Sequence, residues 1–211
     1  MRRPLSVHGA QAGKVEMLYE VVGPATLALS RRSPGQDLDV LGPLGRGFDY
    51  RAGRAASPVL VAGGMGVAPL VFLAQKMKEE KLRGSRGKIT VLLGAGSAKQ
   101  VLCEKEFKKL GCAVKIATDD GSRGFHGRVT ELLNSLFPTM NCQLSTIYSC
   151  GPGPMLDQII RISREKHVPA QVSLETHMAC GIGACLGCVV NTRSGYKRVC
   201  KDGPVFNAEE F

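Results

Sequence analysis

The stretch VLVAGGMGVAPL, Val59 to Leu70, holds an unbroken apolar run, then a glycine cluster, then apolar residues at a new period. An apolar run without alternation reads as a strand covered on both faces. After it Val67, Leu70, Val71, Ala74 and Met77 recur at helical spacing. Gly63, Gly64 and Gly66 fill the turn between the two. Backbone amides of such a turn, aligned with a helix N-terminus, suit a pyrophosphate. The pattern is not a full G-x-G-x-x-G, because Pro69 stands at its last position. Proline is tolerated there, since an N–H in the first helical turn has no partner to lose. A glycine turn before a helix can also be no more than a tight connection.

Toward the C-terminus the same texture repeats: strand KITVLLG, helix EKEFKKL, strand AVKIAT, helix RVTELLNSLF, strand STIYSC, helix PMLDQIIRISREK and strand AQVSLE. Strands joined by helical crossovers predict a parallel, doubly wound sheet across residues 57–175. In SCGPGPM, Cys150, Gly151 and Pro152 fall at the carboxyl edge of that sheet, where open α/β folds bind ligands, although an ordinary strand-to-helix turn reads the same way. The segment GAGSAK after the second strand holds no acid, so no carboxylate is assigned to a ribose, and NAD against NADP stays open. Asp119, Asp120 and Glu175 lie at strand ends and read as turn or cap residues. No general acid or base stands out, so no catalytic residue is assigned.

Toward the N-terminus, residues 1–56 show short β-like runs, RPLSV, VEMLYEVV and DLDVLG, separated by Gly and Pro as in an antiparallel sheet or part of a barrel. The fold class expected is therefore α/β with an N-terminal β portion. Hydrophobic content of 44% and charge of 22% in 211 residues are ordinary globular usage and allow a real core. The net charge of +10 concentrates in segments such as KMKEEKLRGSRGK, without interleaved aromatics to stack on bases. That favours a solvated basic face, an acidic partner or an anionic cofactor over nucleic acid. No apolar run approaches the roughly 18 residues of a membrane span. The opening MRRPLSVHGAQAG has a basic pair without the apolar segment of a secretory leader, so no membrane association and a cytoplasmic location are expected.

Of eight cysteines, four sit near the C-terminus: Cys180, Cys185, Cys188 and Cys200. In a reducing compartment clustered cysteines read as metal ligands rather than disulfides. Their C-x4-C-x2-C…C spacing matches a plant-type two-iron, two-sulfur site, whereas zinc usually takes two short CxxC pairs. Gly181, Gly183 and Gly187 let the loop turn sharply and bring backbone N–H groups to the sulfurs. The residues before Cys200 predict a hairpin, VVNT and YKRV around a three-residue loop RSG with Gly195 left-handed, which returns Cys200 toward Cys188. Structural zinc and unligated thiols are the alternatives. His177 is taken as a loop residue, and Cys103, Cys112 and Cys142 as small core residues.

Together RRPLSV, GPLGRGF, AGGMGVAPL, CGPGPML, LETHMACGIGACLGCVV and RVCKDGPVF resemble the electron transfer subunits of the class B dihydroorotate dehydrogenases, a branch of the ferredoxin reductase family. The likeness runs from Arg3 to the C-terminus. It implies a partial antiparallel flavin-binding barrel at 1–56, an NAD-binding α/β domain at 57–175 and a 2Fe–2S lobe at 176–211. It is partial because relatives place several strands before the RPLS segment. Arg3, Pro4, Leu5 and Ser6 match a motif lying along FAD. Leu18, Tyr19 and Glu20 match a second flavin-contacting strand, and Ala25–Thr26 a third contact in which Ala25 replaces the usual glycine. Gly63, Gly64, Gly66, Ala68 and Pro69 match the NAD pyrophosphate turn, and Cys150, Gly151 and Pro152 the nicotinamide side. The resemblance implies a partner, an FMN-containing dihydroorotate dehydrogenase catalytic subunit in a heterotetramer, with electrons passing through the cluster and FAD to NAD+ in pyrimidine biosynthesis. Two alternatives stay open: a related NAD(P)H-ferredoxin or sulfide oxidoreductase subunit, and a non-catalytic zinc-binding interaction protein.

Overall fold

The computed structural model describes residues 3–51, 57–80, 88–138 and 144–211. Cys142, much of the KMKEEKLRGSRGK segment and the boundary expected near residue 56 lie outside them. The centre is a seven-stranded sheet in the order β11-β8-β7-β3-β4-β5-β6. Its strands are β3 (Ser57–Gly63), β4 (Thr90–Ala95), β5 (Ala113–Thr118), β6 (Phe125–His126), β7 (Leu144–Cys150), β8 (Ala170–Ser173) and β11 (Val205–Asn207). All pair in parallel except β11, which runs antiparallel to β8. The five parallel strands expected are present. The two-residue β6 and the returning β11 are additions whose shortness leaves no periodic signal in the sequence.

Alternation along β3 explains its continuous apolar run. Val59 and Val61 face α4 (Val129–Leu136) and α5 (Gly153–Lys166), in a core with Leu132, Leu133, Leu156 and Ile159. Leu60 and Ala62 face α2 (Val67–Glu79) and α3 (Glu104–Lys109), in a core with Leu70, Val71, Met77 and Phe107. With helices on both faces, neither side of the strand meets water, so neither side is polar.

The N-terminal portion is smaller in strand content than its sequence runs imply. β1 (Val7–Gln11) and β2 (Lys14–Met17) form a two-stranded antiparallel hairpin. It turns through Ala12 (φ 48°) and Gly13 (φ 76°), the positive-φ pair of a tight two-residue loop. The RPLSV strand begins only at Val7, VEMLYEVV ends its ladder at Met17, and DLDVLG forms no strand. Among the described residues these segments have no neighbouring strand to accept their backbone hydrogen bonds, and propensity alone does not hold a strand together. A short helix, α1 (Pro24–Ser30), follows instead. The hairpin packs against α2, and Leu18, Phe48 and Tyr50 rest on the Leu60 core, with the Phe48 ring edge-on to Tyr148 at 5.8 Å.

The C-terminal hairpin forms from β9 (Val189–Thr192) and β10 (Gly195–Arg198). Its loop is two residues long, Arg193 and Ser194, because Gly195 (φ 101°) pairs with Thr192 instead of standing in the loop as expected. The Thr192 hydroxyl closes the turn by donating to the Gly195 carbonyl at 2.6 Å.

Leu60 is fully buried at the centre of this arrangement. Leu60→Ala is therefore expected to cost about 2–5 kcal/mol, read as a lower urea midpoint with an unchanged slope.

Candidate functional site: two glycine turns and a cysteine loop

The direction of strand addition reverses between β3 and β7, and both strands end at the same edge of the sheet, with Ala62 opposite Cys150. A crevice at such a reversal is where doubly wound sheets bind nucleotides. Two turns meet there, backbone against backbone. A Cβ on Gly66 would stand 2.1 Å from the Cys150 carbonyl oxygen, and one on Gly151 would stand 3.0 Å from the Gly63 nitrogen. A Cβ on Gly63 would strike Pro152 and Met155. Gly64 (φ 51°) is exposed, with open space beside it, so the turn presents bare backbone to solvent at the head of α2. That is a cradle which fits a pyrophosphate. Ala68 is buried on α2 and can offer this crevice only its amide, while Pro69 is half-buried. Burial pushes the thiol of the half-buried Cys150 up to about 11, so it stays neutral there. Asp120 is a turn residue, its carboxylate accepting from the Ser122 amide at 2.9 Å and hydroxyl at 2.6 Å.

The cysteine loop lies beyond β8. Cys188 and Cys200 are buried, Cys180 is half-buried and Cys185 is exposed. The hairpin brings Cys200 back as expected: the Val199 amide donates to the Cys188 carbonyl at 3.0 Å and the Cys200 amide to the Cys188 sulfur at 3.4 Å. The Cys185 amide donates to the Cys180 sulfur at 3.4 Å. That bond first, then the amide of Ile182, the Cys185 thiol and the amide of Ala184, draws the Cys180 thiol down to about 6. Gly181 (φ 71°) and Gly183 (φ 82°) make the reversals that aim these amides inward. His177 is exposed in the loop.

Two supports escaped sequence reading. Arg198 holds Asp202 through paired bonds of 3.0 and 3.2 Å and reaches the Gly183 carbonyl at 3.4 Å, tying hairpin to loop. Its four-residue spacing of opposite charges was the available signal. The segment 42–51 forms a strap. Leu44 lies over Gly181, the Arg46 amide donates to the Gly203 carbonyl, Asp49 exchanges two bonds with the Gln171 side chain, and Tyr50 and Arg51 both bind Glu80. Nothing in its composition announces those partners.

On the flavin-matching side, the register Val7 to Met17 brings Arg3–Ser6 and Leu18–Glu20 out at the same end of the β1–β2 hairpin. Arg3, Pro4, Ser6 and Glu20 are exposed, and Leu5, Leu18, Tyr19 and Ala25 are half-buried. The buried Thr26 hydroxyl accepts from the Val22 and Gly23 amides at 3.0 and 3.2 Å, so it organises the start of α1. Val15, Met17, Val21, Val22 and Leu27, in or near these segments, are exposed apolar side chains, the kind of lining that fits a planar aromatic group.

Comparisons bear on both halves of this site. Residues 175–211 match the family model described as the iron-sulfur cluster binding domain of dihydroorotate dehydrogenase B, and residues 60–160 match the oxidoreductase NAD-binding domain. The dihydroorotate dehydrogenase B (NAD(+)) electron transfer subunit of Desulforamulus reducens is 41% identical over 98% of this chain and 78% of its own length. That of Caldanaerobacter subterraneus subsp. tengcongensis is 39% identical over 100% of this chain and 80% of its own. The chain belongs to this electron transfer subunit family. Among solved structures, a chain of an NADH-dependent reduced ferredoxin-NADP oxidoreductase matches with a TM-score of 0.83 at 33% identity, covering 99% of this chain and 73% of that one. A flavohemoglobin from Malassezia yamatoensis, 18% identical with a TM-score of 0.58, shares the fold over 78% of this chain and 43% of its own.

As a member of the dihydroorotate dehydrogenase B family, the chain is an oxidoreductase subunit of ferredoxin reductase-like fold, with an iron-sulfur cluster, FAD and NAD as its cofactors and NAD+ as electron acceptor. No helix among the described residues is long and apolar enough to cross a membrane.

Two expectations follow for an electron transfer subunit of this family. Gly66→Ala must push back the Cys150 backbone, so NADH affinity should fall roughly tenfold or more, a loss of about 1.4 kcal/mol. Gly153→Ala, with open space around it, should leave affinity unchanged; NADH fluorescence titration reads both. In cluster-free protein, Cys180 is the thiolate above about pH 6 and the unreactive thiol below it. Burial, with the Glu106 carboxylate, holds Cys103 up at about 12. Iodoacetamide labelling read by peptide mass should therefore rise at Cys180 through pH 6 and stay low at Cys103 to pH 9. Equal labelling of the two at pH 7 would contradict this reading.

Proposed function

We propose that Cys180, Cys185, Cys188 and Cys200 hold a 2Fe–2S cluster. On this reading Gly63, Gly64, Gly66, Ala68 and Pro69, with Cys150, Gly151 and Pro152, bind NAD, and Arg3–Ser6, Leu18–Glu20 and Ala25–Thr26 bind FAD. The chain then divides by role into residues 1–56, 57–175 and 176–211. The partner is an FMN-containing dihydroorotate dehydrogenase catalytic subunit, the two chains forming a heterotetramer in the cytoplasm. The observation that carries the reading is the pairing of the sulfurs. Cys180 contacts Cys185, and Cys188 contacts Cys200. Among the described residues no three of these sulfurs lie within 4.8 Å of one another, as a single tetrahedral zinc would require. Two pairs suit two irons.

Held by these residues, the cluster would supply single-electron transfer, FAD the conversion between one and two electrons, and the nicotinamide a hydride acceptor. The residues of this chain bind and orient. Amides of Cys185 and Cys200 point at sulfur and stabilise negative charge on the thiolates, which tunes a cluster potential. Burial of Cys188 and Cys200 against Val199 and Phe206 keeps water from one side of the site, while Cys185 leaves the other side open to a partner. The backbone cradle at Gly63–Gly66, with Cys150–Pro152 beside it at the sheet edge, would hold the dinucleotide. A second reading, a subunit of a ferredoxin-NADP oxidoreductase, is favoured by the structural match to such an enzyme.

The test uses anaerobically purified chain with its iron content measured. Cys185→Ser should remove the cluster's visible absorption and stop NAD+ reduction driven by dihydroorotate and the catalytic subunit, while NADH-to-ferricyanide activity through flavin persists. Loss of both activities in a folded variant would break the proposed order of carriers. Reduction by ferredoxin but not by the dehydrogenase partner would select the second reading.

A further inference from the structure

Away from the crevice and the cysteine loop, three side chains from two parts of the fold converge. His8 lies on β1, Cys103 immediately precedes α3, and Glu106 stands in its first turn. His8 Nε2 is 3.2 Å from Glu106 Oε2, and one ligand atom from each of the three residues lies within 4.8 Å of the others. A tetrahedral ion bound to nitrogen and oxygen at about 2.0–2.1 Å holds those atoms about 3.3–3.4 Å apart, so the pair already stands at the edge length of such a site. Two further features set this place apart from a surface ion pair. The His8 side chain is 16% exposed, and its Nδ1 is buried without a hydrogen-bond partner. Cys103 holds a left-handed backbone, φ 57°, at a helix start where its side chain caps nothing. An L-residue adopts that conformation only when its surroundings impose it, and here it turns the thiol toward His8 and Glu106.

We propose that His8, Cys103 and Glu106 bind one divalent metal ion of the zinc class, tying the β1–β2 hairpin to α3. A mixed imidazole, thiolate and carboxylate set disfavours magnesium and calcium, which take oxygen ligands, and suits zinc or cobalt. Binding exchanges the thiol proton for the metal and releases the proton to solvent. Glu106, with its side chain 48% exposed, leaves the fourth position to water. The ion cross-links the flavin-side hairpin to the nucleotide-side sheet, where the hairpin otherwise rests on α2 through packing. It lies apart from the four cysteines of the loop and does not depend on what they hold.

Cobalt(II) is the probe, added to anaerobic protein whose iron is counted in the same sample, so that a failure to load the cluster is seen separately. The expected result is a saturable thiolate-to-cobalt absorption difference at one ion per chain, reversed by added zinc. It should be lost in Cys103→Ser, weakened tenfold or more in His8→Ala and Glu106→Gln, and retained in Cys112→Ser. Circular dichroism checks that each variant folds, and Glu106→Gln, altered on the solvent side, serves if Cys103→Ser does not. No saturable band in folded protein, or the same band in Glu106→Gln as in the parent, overturns the proposal.

Discussion

The arrangement depends on one close contact: the turn after β3 meets the turn after β7 backbone to backbone, at Gly66 and Cys150. Gly66 has room for a hydrogen and nothing more against the Cys150 carbonyl. Because β3 and β7 are hydrogen-bonded neighbours across the reversal of strand order, that contact sets how far their carboxyl ends stand apart. The exposed backbone at Gly64, at the head of α2, is thereby held at a fixed place. The phosphate site proposed there is made of backbone and would need such rigidity, because no flexible side chain is present to make up an error in position.

The cysteine loop takes its rigidity from the same sheet. After the cluster-side hairpin, the chain returns as β11 to pair with β8, and the Leu174 amide donates to the Pro204 carbonyl at 2.9 Å. Phe206 joins Cys188, Val199 and Cys200 in a small core, edge-on to Phe211 at 5.8 Å. The strap of residues 42–51 crosses from the loop to the end of α2 and binds both. A lobe whose own buried core is small is thus fastened at three places to a domain with two large ones. That fits a carrier whose distances to its neighbours must not drift.

Much of this was legible in the residues. The unbroken apolar run at β3, the helical spacing of Val67 to Met77 and the repeats after them correspond to the parallel sheet, because burial on both faces leaves no reason for polar alternation. The C-x4-C-x2-C…C spacing and the hairpin before Cys200 were equally readable, since both are local. The hairpin loop came out one residue shorter than expected, because whether Gly195 pairs or turns depends on the ladder opposite it. The N-terminal runs misled for a related reason: DLDVLG has strand propensity without a strand beside it.

Local order, then, belongs to the sequence: periodicity chose strand or helix, glycine chose the turns, and cysteine spacing chose the cluster class. Only the folded chain decided which turns touch, that the sulfurs fall into two pairs, and that His8 meets Cys103 and Glu106 across 95 or more residues. Those outcomes depend on strand order and on the path of the returning chain. Both are set by the summed burial of two cores rather than by any single segment.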